Sequence, residues 1–135
     1  MTHIIAIFAL ALLLGGMIFF ASVIAPLVFT KLPPEHAGRF IRTVFPVYYL
    51  YVLITSAIAA LALAMQWDAV VMAAVALLTL WLRQWLMPHI NKLSDAAQAG
   101  DKAAKPKFDR AHRLSVILNV AQIIATAAVL AHLSA

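Results

Sequence analysis

The sequence predicts an all-α integral membrane protein, a four-helix up-down bundle with both termini outside, and three observations carry that reading. Its 135 residues are 65% hydrophobic and 11% charged, with a mean hydropathy of +0.97, far outside the soluble globular range. Four apolar spans recur along it. All ten Lys and Arg residues fall in two stretches, Lys31 to Arg42 and Arg83 to Arg113, separated by segments that contain none. Charge on alternate connections places both basic loops in the cytoplasm, and a soluble core of this size cannot hide so much apolar surface. The chain reads as one multi-pass domain, residues 1–135, of the inner (plasma) membrane.

The first helix is expected at about 4–30, because Ile4 to Phe29 carries no charge and exceeds the roughly 20 residues a bilayer crossing needs. A cleaved signal peptide wants a basic leading region and a shorter apolar core. Only Met1, Thr2 and His3 precede this run and Lys31 follows it, so it is read as retained, with its N-terminus outside. Pro33-Pro34 ends it and opens a cytoplasmic loop, 31–43. The second helix, 44–65, begins through Pro46 and the aromatic cluster Tyr48, Tyr49 and Tyr51, which suits an interfacial belt as well as a cavity wall. Gln66-Trp67-Asp68 makes a short outer hairpin.

The third helix, 69–93, carries Arg83 roughly 21 Å from its start, close enough to the inner interface to snorkel. The stretch 94–108 reads as a second cytoplasmic loop of partly helical character, rich in Ala and Lys, with Gly100 and Pro106. The fourth helix, 109–133, is capped by Asp109 or a neighbour. Each half of the chain is a helix, a basic connection and a returning helix, a plan that any up-down bundle shares.

Absence of Cys excludes disulfides and thiolate metal sites. The formal charge of +5 and pI near 10 would suggest nucleic acid in a soluble protein, but beside apolar spans they orient helices toward anionic headgroups. The expected partner is the lipid bilayer, with a homo-oligomer left open and no nucleic acid. No GxSxG, Walker loop, GxGxxG or HExxH occurs, so no catalytic motif marks an enzyme.

A polar stripe on the fourth helix is the most specific signal. His112, Ser115, Asn119, Gln122 and Thr126 recur at i, i+3, i+7, i+10 and i+14, within an arc of roughly 80°. Intramembrane polar groups are costly and mark sites, yet Ser, Asn, Gln and Thr also serve as interhelical glue. With Arg83 and Arg113, the first four form the candidate ligand-binding set. A permanent cation deep in a span must snorkel, pair or bind an anion, and Arg83, His89, Arg110, His112 and Arg113 all belong to the inner mouth.

Neutral imidazole ligates heme iron, copper or zinc, so His89 with His112 is the candidate cofactor pair, for heme b or copper, and His3, His89 and His112 are the candidate metal ligands. The first helix offers a close-contact face in Gly15, Phe19, Ser22 and Pro26.

The order Gly15-Gly16, Ala25-Pro26, Phe29, Ala37-Gly38, Phe45, Pro88, Asn91, Phe108, His112-Arg113-Leu114-Ser115, Asn119 and Gln122 resembles the transmembrane protein 205 family and its bacterial relatives, the DUF4149 domain. That resemblance implies a four-helix membrane protein and no defined activity. More distantly, the opening from His3-Ile-Ile-Ala through Gly15-Gly16 to Ala25-Pro26 is similar to the first helix of CopD-type copper-resistance proteins and HemJ-type protoporphyrinogen oxidases, which implies heme or copper, with His3 as counterpart of an N-terminal helix His. Three functions stay open: a binding or transport module for a small ligand or ion, a heme- or copper-binding redox protein, and a structural or assembly subunit of a membrane complex.

Overall fold

Pro26, Pro46 and Pro88 lie inside long apolar segments where each removes a backbone hydrogen bond, and how the chain absorbs them shapes the bundle. The computed structural model describes all 135 residues as four helices. Helix α1 spans Thr2–Lys31, α2 Pro34–Ala62, α3 Trp67–Gln98 and α4 Ala104–Ser134. A single wider π turn interrupts α1 at Phe20–Ile24 and α3 at Leu82–Leu86. The Ala25 N–H reaches back to the Phe20 carbonyl and the Met87 N–H to that of Leu82. In both helices the proline comes two residues after the π turn, so the missing bond falls where the ladder has already changed step. Such π turns gather at functional sites.

Helices α2 and α4 begin earlier than the loops 31–43 and 94–108 would allow. Leu32 and Pro33 alone separate α1 from α2, because Pro34 sits at the first helical position, where a proline costs nothing. Ser94 to Gln98 extend α3 into the second of these loops. That helix ends at Gln98 on Gly100 (φ 100°), with the Gly100 and Asp101 N–H groups donating to the Ala97 and Ala96 carbonyls, a pairing that requires a left-handed residue at this point. Asp101 then accepts from the Ala103 N–H at 3.0 Å and launches α4. Asp109, expected to cap, instead pairs with Lys105 at 2.7 Å one turn inside the helix.

Around the bundle α1 lies between α2 and α4, and α3 also lies between them. The core runs from Leu10, Leu13, Val52, Leu63, Met72 and Val129, away from the basic connections, to Phe20, Tyr48, Tyr49 and Leu86 nearer them, all buried. Gly16 permits the tightest contact. A Cβ there would stand 2.5 Å from the Tyr51 ring, and the Tyr51 hydroxyl donates to the Leu12 carbonyl on the same helix.

The outer surface is apolar along all four helices: Phe8 is 66%, Leu77 67% and Ile124 63% exposed. Apolar exposure on this scale belongs in lipid, and every helix is long and apolar enough to cross a bilayer. This is a four-helix, multi-pass membrane protein in contact with the bilayer.

Candidate functional site

Beyond the π turn α1 parts from α4, whereas its Thr2–Phe19 segment packs along it. The parting opens a cavity of about 350 Å³ at the basic end, walled by all four helices, at the lower limit of the size of small-ligand pockets. Its floor is aromatic. Phe20, delivered by the π turn, stacks on Tyr48 (centroids 4.2 Å apart) and meets Phe45 edge-on at 5.3 Å.

The polar stripe of α4 divides at this floor. His112, Ser115 and Asn119 line the cavity. Asn119 takes the Tyr48 hydroxyl proton on its amide oxygen at 2.8 Å, and its two amide N–H donors have no protein partner. The His112 ring is also without a hydrogen-bond partner and stacks on Phe108 at 5.8 Å, while its carbonyl accepts from Ser115 Oγ at 2.6 Å. One turn deeper the stripe changes role. Gln122 is buried and donates to Thr79 Oγ1 at 2.8 Å and to the Val75 carbonyl at 3.3 Å, tying α4 to α3. Thr126 returns its proton to the Gln122 carbonyl at 2.8 Å.

The remaining candidates scatter. Arg83 turns to α2, its Nε donating to the Pro46 carbonyl at 3.2 Å. His89 lies exposed against Trp85, rings 5.3 Å apart, and does not line the cavity that His112 lines. Arg113 is exposed and outside the lining. At the opposite end His3 is exposed and His132 bonds the buried Asp68 at 2.9 Å. No three His, Asp or Glu side chains come together as a metal-binding group.

Two polar lining residues, Asn91 and Ser94, are not among the site residues expected from the sequence: Asn91 falls near the end of the expected third helix and Ser94 at the start of the expected loop 94–108. Met87, Asn91 and Ser94 lie four and three residues apart, and that spacing is the signal that places them on one face of an extended α3. Neither side chain has a hydrogen-bond partner. Beside them Arg42 from α2 donates to Asp95 Oδ1 at 2.5 Å and to the Asn91 carbonyl at 3.2 Å, joining α2 to α3 at the cavity's basic rim.

A family model described as a domain of unknown function, DUF4149, matches residues 8–99. The chain belongs to the DUF4149 family. The match takes in all of α2 and α3 and most of α1, and thus both π turns, the aromatic floor and the Arg42–Asp95 bridge. The α4 face of this DUF4149 protein, with His112, Ser115 and Asn119, lies beyond the matched residues. No curated protein and no solved structure matches the chain.

Proposed function

We propose that this DUF4149 protein is a binding module of the inner (plasma) membrane that holds a small ligand in the cavity at its basic end, with both termini outside and the basic connections in the cytoplasm. The observation that carries the reading is the contrast within one stripe. Gln122 and Thr126 are buried and spend their side-chain donors on neighbouring protein groups, as glue should, whereas Asn91, Ser94, His112 and Asn119 share one cavity with side-chain donors that meet no protein group. No fully buried side-chain polar atom of the chain lacks a partner, so the open polar groups of the cavity are accessible to a molecule that enters it.

The ligand's polar part meets Asn119 and His112, and its apolar part rests on Phe20, Phe45 and Tyr48. Thermal unfolding of purified protein against a panel of polar and amphipathic compounds tests this. A compound that raises the midpoint in the native chain, and loses that effect in Asn119→Leu while Gln122→Leu retains it, supports the reading. Equal loss in both variants overturns it, because the stripe would then act as structure throughout. A Soret band or stoichiometric copper in the purified protein would replace it with a redox function.

A further inference from the structure

The cavity wall is unequal. Deep on the α2 and α3 side its lining is buried, at Tyr48, Tyr49 and Leu86, whereas on the α1 and α4 side, Phe20 apart, apolar lining residues are exposed, Phe29 by 59%, Val116 by 49% and Val120 by 47%. Ala21, also lining and exposed, faces the same gap with too small a side chain to close it. Ala21 precedes Lys31 by ten residues, which places it about 15 Å below the basic end of α1. The lower part of the gap therefore opens on acyl chains rather than water, and its upper part, at Gly38, Arg42 and His112, reaches the basic surface.

Resting on the binding reading above, we infer that the cavity takes a single-chain anionic amphiphile directly from the bilayer, sideways through the gap between α1 and α4. The order of chemistry along the slot matches such a molecule. Apolar Ala21, Leu86, Val116 and Val120 line the deep part, and Asn91, Ser94 and His112 line the part nearest the basic end. Asn119, seven residues below His112 and so about 10 Å deeper, offers amide donors to an ester carbonyl beneath the headgroup.

Size and charge narrow the choice. A volume near 350 Å³ holds about a dozen water-sized groups, room for a headgroup region or part of one chain and too little for both chains of a phospholipid. The basic end carries all ten Lys and Arg residues against four acids, Glu35, Asp95, Asp101 and Asp109, which draws anionic heads to that surface. Arg42, 38% exposed at the rim and held by Asp95, has further guanidinium donors to offer an anion.

The test uses a diazirine-bearing lysophosphatidate and the full chain in phosphatidylcholine nanodiscs, with covalent labelling read by intact mass. Labelling is expected to saturate at one probe per chain, to be displaced by unlabelled lysophosphatidate, and to need at least tenfold more monoacylglycerol, which has the same chain and ester without the anion. Ala21→Trp and Val120→Trp, which fill the gap from its two sides, should each cut saturable labelling at least tenfold. Leu77→Trp, on a lipid-facing surface elsewhere, should leave it intact, and circular dichroism checks that all three variants fold. Labelling that never saturates, equal displacement by monoacylglycerol, or no effect of either gap-filling variant overturns the inference. Displacement by glycerol phosphate alone would show a water-borne anion reaching the cavity from the basic end, sinking lateral access while sparing the binding reading.

Discussion

Tyr48 on α2 and Asn119 on α4 meet across the diagonal of the bundle, the phenol donating to the amide oxygen at 2.8 Å where α1 and α4 have parted. The bond spans the cavity floor and leaves the Asn119 N–H groups open above it. Tyr48→Phe keeps the ring stacked on Phe20 and removes only the proton donor, so the expected loss of stability is about 0.6 kcal/mol, the average for interhelical side-chain bonds. Tyr48→Ala also removes the stacked ring and is expected to cost about 3–5 kcal/mol. Reversible unfolding in mixed micelles measures both, and equal costs would mean that the hydroxyl, rather than the ring, holds the floor.

Gly16→Ala is expected to destabilise by about 1–3 kcal/mol, the usual range for overpacking, because its Cβ would fall 2.5 Å from the Tyr51 ring. Gly15→Ala meets open space and should be neutral or slightly stabilising through helix propensity. The same unfolding assay separates the neighbours. A neutral Gly16→Ala would mean that α1 and α2 do not approach this closely.

Gln122 and Thr79 are coupled through a 2.8 Å hydrogen bond in the apolar interior. A double-mutant cycle with Gln122→Leu and Thr79→Val should return a coupling near 0.6 kcal/mol and below about 1.7 kcal/mol. Ligand binding should survive Gln122→Leu, since this residue does not line the main cavity.

The Arg42–Asp95 pair is solvent-accessible, with side chains 38% and 61% exposed. Replacing Asp95 with Asn is therefore expected to change stability by less than about 1 kcal/mol. Its effect should appear instead in hydrogen exchange of the first turns of α2 and the last of α3, which the pair joins. Unaltered exchange there would leave the bridge without a structural role.

The charge distribution predicts that Ala135 lies outside. A C-terminal alkaline phosphatase fusion should be active and a C-terminal green fluorescent protein fusion dark; the reverse result places the basic connections outside and contradicts the orientation.

Much of the fold is legible along the chain because membrane helices announce themselves by length and hydropathy, which need no knowledge of neighbours. Their ends are less so. Pro34-Glu35-His36 and Ser94 to Gln98 are polar enough to read as loops, yet they are helical, with α2 and α3 running on beyond the apolar spans and joined there by Arg42 and Asp95. In the site, periodicity placed His112, Ser115 and Asn119 on one face, and the structure sets that face against the cavity. Periodicity was equally satisfied by Gln122, which has a packing role, and it had nothing to say about which way Arg83 and His89 turn.

By itself the sequence determined four apolar helices, the clustering of basic residues on alternate connections and a polar stripe along α4, all properties of composition and period. Only the tertiary structure decided that the stripe splits between a cavity and a helix contact. The cavity lies at the end of the bundle where π turns precede Pro26 and Pro88, where Phe20 stacks on Tyr48 and where α1 parts from α4. Such a space is a relation among four helices, and no local pattern of residues specifies the distance between them.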